Sequence, residues 1–116
     1  MPYEVEYYEL DSGARPAEDF ILGQDVKMQA KIFTILEFLE EKGPALREPY
    51  SKPLEDGIFE VRAKVGSDIS RVLYFFVVGK KIILTNGFLK KTQKTPKAEI
   101  SKAKRYRDDF LSREES

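Results

Sequence analysis

Hydrophobic and polar positions along the chain alternate between two periods, and the changes of period mark out the elements. Tyr3, Val5 and Tyr7 alternate with Glu4 and Glu6, the period of two of a half-buried strand. Asp11-Ser-Gly13 breaks it, and Pro16 opens a short helix through Leu22, interrupted by Gly23. Asp25 is placed to cap a second helix, whose Met28, Ile32, Ile35, Leu36 and Leu39 recur at helical spacing with Phe33 and Phe38 flanking. Lys42-Gly43-Pro44 ends that helix, and this stripe reads as core. Residues 44–57, with Pro44, Pro49, Pro53 and Gly57, read as a connecting segment.

Three strands are predicted next, Ile58–Val65, Ser70–Val78 and Lys80–Asn86, joined by short turns and so antiparallel neighbours. The first carries Phe59, Val61, Ala63 and Val65 on one face and Glu60, Arg62 and Lys64 on the other. The second is apolar on both faces except at Arg71, which makes it the central strand. Thr95 as cap and Pro96 at the first helical position open a last helix with a narrow stripe of Ile100, Ala103, Tyr106/Arg107 and Phe110/Leu111. The pattern predicts an α+β fold: a small antiparallel β-sheet packed against an N-terminal helical hairpin and a C-terminal helix. Residues 1–116 are expected to form a single domain.

Composition removes several classes of chemistry. The 116 residues include no cysteine and no histidine, so thiolate zinc sites, disulfides and imidazole acid–base chemistry are excluded. No cofactor and no metal are expected. No run approaches the roughly 18 apolar residues of a membrane span, and the acidic N-terminus lacks the basic and apolar regions of a signal peptide. A cytoplasmic protein without membrane contact is the expectation. The net charge of zero is segregated: residues 1–60 carry −8, residues 61–79 carry +2, residues 80–107 carry +9, and residues 108–116 carry −3. Solvated helix faces are the ordinary explanation for such blocks, an anion-binding face the functional one.

Arg62, Arg71, Lys90 and Lys91 interrupt runs that otherwise read as core, and a charge there is costly unless it serves an anion. With the Arg62 face turned outward, these residues join Lys64, Lys94 and Lys97 in a cationic cluster beside a helix start, a setting suited to phosphate. Phe88, Tyr74 and Phe76 stand near enough in sequence to stack on a base, although core packing is the commoner use of the latter two. RNA can be cut without metal by its own 2′-hydroxyl. Arginine suits the stabilisation of charge on phosphorus, and lysine can move protons where neighbouring cations lower its pKa. Glu60 is an alternative base; its ordinary role is an ion pair with Arg62 or Lys64. The acidic first half is expected to lie away from this face.

Gly57-Ile-Phe-Glu60-Val-Arg62, then Arg71-Val-Leu-Tyr74, Gly87-Phe88-Leu-Lys90-Lys91-Thr and Thr95-Pro96, resembles the RelE/ParE toxin superfamily, in particular its phage-derived, HigB-like branch. The resemblance covers nearly the whole chain. It implies a RelE-like fold and the toxin of a type II toxin–antitoxin system, an mRNA endoribonuclease acting on the ribosome. It also implies as partners a cognate helix-turn-helix antitoxin, ribosome-bound mRNA, and promoter DNA reached through the antitoxin complex. By resemblance, Arg71 matches the arginine that holds the scissile phosphate, Arg62 a catalytic basic residue on the preceding strand, and Lys91 the basic residue after the last strand. Lys97 or Thr95 stands where relatives carry a tyrosine, and Tyr106 comes a turn or more too late, so the general base is unassigned. Two other classes remain open: a ParE-like gyrase inhibitor that cuts no nucleic acid, and a non-catalytic module that binds antitoxin and DNA.

Overall fold

The structure, a computed structural model, describes residues 2–89 and 94–114. Among the described residues five strands and three α-helices follow in the order β1 (Glu4–Tyr7), α1 (Pro16–Leu22), α2 (Val26–Lys42), β2 (Ser51–Glu55), β3 (Ile58–Val65), β4 (Asp68–Val77), β5 (Lys81–Leu89) and α3 (Lys97–Glu114). They form one sheet in the order β1-β5-β4-β3-β2, so β4, the strand apolar on both faces, is indeed central.

Two features of the sheet depart from expectation. β2 lies inside the segment read as a connection, and it pairs antiparallel with β3 at the sheet's edge. Pro53 sits in it, which an edge strand tolerates because one side of its ladder is not needed. β1 pairs in parallel with β5, Glu4 opposite Lys81 through Tyr7 opposite Leu84, so the sheet is mixed and not wholly antiparallel. A period of two reveals a strand's faces but neither its partner nor its direction.

The helices sit on opposite faces. Asp25 caps α2 by accepting from the backbone N–H of Met28 at 2.9 Å. Met28, Ile32, Ile35, Leu36 and Leu39 of α2, with Ala17 and Ile21 of α1, pack on Val61, Ala63, Val72, Tyr74, Ile82 and Leu84. Ile100 and Ala103 of α3 cover the other face, against Ile58, Leu73, Phe75 and Ile83. This second layer decides the character of the site, because it covers half of the face that carries Arg62.

Candidate anion site

Strand pairing assembles the centre of the site. Arg62 of β3 lies directly opposite Arg71 of β4, and Arg71 lies opposite Phe88 of β5, so the three share one face. Glu60, two residues before Arg62, shares it too. Burial declines along β3 on this face. Ile58 and Glu60 are buried under α3, the Arg62 side chain is 14% exposed, and Lys64 is open to solvent. Arg71 has no exposed surface at all. The Arg62 face is therefore not turned outward as the alternation suggested. Alternation distinguishes two faces, but it does not say that a helix from the end of the chain will cover one of them.

Thr95, just ahead of α3, joins the two arginines. Its hydroxyl accepts from Arg71 Nη1 at 3.1 Å and donates to Glu60 Oε1. Glu60 Oε2 faces Arg62 Nε at 3.3 Å. Removing these groups from water opposes their charged forms. Burial holds the Arg71 guanidinium below its usual pKa, Glu60 pulls it back up, and the like charge of Arg62 lowers it further. Even so lowered, a guanidinium remains protonated at neutral pH. Two guanidiniums and one carboxylate leave a formal +1 on these three groups. The Phe88 ring adds its face to the arrangement, its centroid 6.0 Å from the Arg71 guanidinium carbon.

Two concavities flank this core. One, of about 320 Å³, opens between β2 and the start of α3 and is lined by Lys52, Glu55, Glu60, Lys94, Thr95 and Ile100 among others. The second, of about 450 Å³, is lined by Lys31, Pro49, Tyr50, Arg62, Lys64 and Gly66. At the rim of the first, a 2.6 Å bond from Lys104 keeps the Glu55 carboxyl below its usual pKa, with a weaker pull from Lys97. Among the described residues no cluster of ligating side chains is disposed to hold a metal ion.

The structure thus brings Arg62 and Arg71 together, sets Lys64 and Lys94 in the flanking clefts, leaves Lys97 exposed at the head of α3, and places Phe88 beside Arg71. Lys90 and Lys91 lie outside the described residues. Tyr74 and Phe76 project to the opposite face; Tyr74 stacks on Phe59 and bonds Ser51, so neither reaches the arginines. The acidic first half is only partly set apart. α1 and α2 lie across the sheet, but Glu60 belongs to that block and sits at the centre of the site, and Lys31 of α2 reaches the second cleft. Sequence reasoning missed Lys31 and Lys52, and it read Thr95 as a helix cap rather than as the link between the arginines.

Comparison with solved structures identifies the fold. The chain matches the crystal structure of the archaeal RelE–RelB complex from Pyrococcus horikoshii with a TM-score of 0.54 at 20% identity, over 81% of this chain and 100% of that one. Its fold is that of the RelE superfamily. Residues 19–108 match the family model described as phage derived protein Gp49-like, so the chain belongs to that family. No curated protein sequence matches it. No helix among the described residues is long and apolar enough to cross a membrane.

Proposed function

We propose that this chain is the toxin of a toxin–antitoxin pair and a metal-independent endoribonuclease that cuts messenger RNA on the translating ribosome. In this reading the RNA 2′-hydroxyl gives up its proton to water and attacks the adjacent phosphorus while the bond to the 5′-oxygen breaks and that oxygen takes up a proton, leaving a cyclic phosphate and a free 5′-hydroxyl. Arg62, at the solvent edge of the site, holds the phosphate oxygens as negative charge builds on them. Arg71 supports it from behind with a positive field undiluted by water. Lys64, Lys90, Lys94 and Lys97 steer the RNA backbone, Lys91 serves as the third catalytic basic residue, and Phe88 supplies an aromatic surface. A cognate antitoxin of the helix-turn-helix class neutralises the toxin and carries the complex to promoter DNA, all in the cytoplasm.

The observation that carries this reading is the cross-strand pair Arg62–Arg71, two guanidiniums that share Glu60 on a face rimmed by lysines. Membership of a phage-derived family and a RelE-type fold add to it. The test is induction of the wild-type chain and of Arg62→Ala in cells, with transcript ends mapped on ribosomes. The wild type is expected to arrest growth and leave new ends within coding regions, and the variant to do neither while still binding antitoxin. One observation favours a ParE-like or non-catalytic reading: Arg71 and Glu60 have no exposed surface. Growth arrest with DNA damage and intact messages supports the gyrase reading, and harmless expression supports the binding module.

A further inference from the structure

Thr95 and Glu60 have no role in the phosphate chemistry as described, yet they hold its two arginines in one unit. Arg71 contacts Thr95 at 3.1 Å, Thr95 contacts Glu60, and Glu60 contacts Arg62 at 3.3 Å. Glu60 and Arg71 are fully buried and Thr95 is 6% exposed, so water does not compete for these contacts. The two arginines lie opposite one another on neighbouring strands, where like charges repel. A hydroxyl that accepts from one arginine and donates to the carboxylate of the other converts that repulsion into a chain of complementary contacts. Thr95 also immediately precedes the turn into α3, where Pro96 accepts from the N–H groups of Glu99 and Ile100. Lys94 stands beside it in the same cleft as Glu60.

We infer that Thr95 and Glu60 are positioning residues: together they fix the guanidinium plane of Arg71 against Arg62 and present the pair as a rigid anion clamp. Neither touches the RNA. The hydroxyl is the essential group, because the methyl of threonine makes none of these contacts. The inference rests on the nuclease reading for its catalytic meaning, but the positioning itself is observable without any cleavage.

The experiment compares the wild type with Thr95→Ser and Thr95→Val, the second close to threonine in shape and lacking the hydroxyl. Nitrogen-detected NMR of the arginine side chains reports whether the Arg71 Nη protons are protected from exchange and its guanidinium rotation is slowed. The wild type and Thr95→Ser are expected to show a slow, protected guanidinium, and Thr95→Val to lose that protection by about tenfold or more. On ribosomes loaded with messenger RNA, kcat for Thr95→Val is expected to fall about tenfold, KM to stay within about twofold, and serine to restore kcat. A melting curve for each variant separates misfolding from misplacement, since serine and valine must differ in kcat at matched folded fraction. A Thr95→Val chain that keeps its protected guanidinium overturns the inference, as does one that cleaves like the wild type. A wild-type chain with a locked Arg71 signal that leaves messages intact removes the nuclease reading, and with it the catalytic meaning assigned here.

Discussion

Arg71 carries its charge where water does not reach, and Glu60 makes that tolerable. Removing one partner of a buried ion pair costs about 3–5 kcal/mol, because the other charge is left uncompensated. Glu60→Ala, which leaves two guanidiniums facing each other, is therefore expected to lower unfolding stability by about 3 kcal/mol or more in a urea titration. Arg62→Ala touches a group nearer to solvent and is expected to cost clearly less. On the proposed nuclease reading its effect is expected in the chemistry instead: a drop in message cleavage of about a hundredfold or more, the range for loss of one charge-stabilising donor. The two variants should thus rank in opposite orders by stability and by activity. The sequence made both arginines visible, because a cation within an apolar strand stands out. It did not make their burial visible. Glu60-Val-Arg62-Ala-Lys64 reads as a solvent face, and only the packing of α3 divides it into a covered half and an open half.

At the scale of elements, punctuation was easier to read than pairing. Asp25, Gly43 and Pro44 bound α2 as expected, since each acts on the backbone next to it. β2 was hidden because Pro49 and Pro53 flank and interrupt a polar stretch, and what holds it is its ladder to β3 rather than its own pattern. Gly43 shows how local and distant demands meet at one residue. Its φ is +52°, and the Tyr3 ring lies so close that an added Cβ would fall within 3 Å of it. Gly43→Ala is expected to cost about 2 kcal/mol, combining left-handed strain with overlap of an aromatic ring. Adding Tyr3→Ala to that variant should cost less than the two changes separately, a coupling that a double-mutant cycle measures in chemical denaturation.

For the molecule as a whole, both faces of the sheet bury a tyrosine hydroxyl. Burial pushes Tyr74 up to about 12 despite the opposing bond with Ser51, and burial with the 2.7 Å bond to Asp109 pushes Tyr8 to about 12 as well. In the unfolded chain a tyrosine titrates near 10. The folded state therefore prefers the neutral phenol: the contribution is complete below about pH 10 and is lost as pH rises through about 12. Unfolding stability should be insensitive to these groups up to pH 10 and then fall. Tyr74→Phe should flatten its share of that decline, on the order of 2 kcal/mol, when denaturation midpoints are compared across alkaline pH.

Tyr8 also stacks on Tyr106 of α3, while Arg113 bonds Glu9 and Asp11, so partners about a hundred residues apart close this layer. The order of synthesis gives that arrangement a consequence. A nascent chain has β3, β4 and both arginines outside the ribosome well before it has Thr95 or the helix that roofs them. Until those last segments emerge, the guanidiniums stand apart in water without their linking hydroxyl. The arginine pair is thus completed only when Thr95 and α3 close over the sheet, which makes this layer a long-range step of folding rather than a product of its own strands.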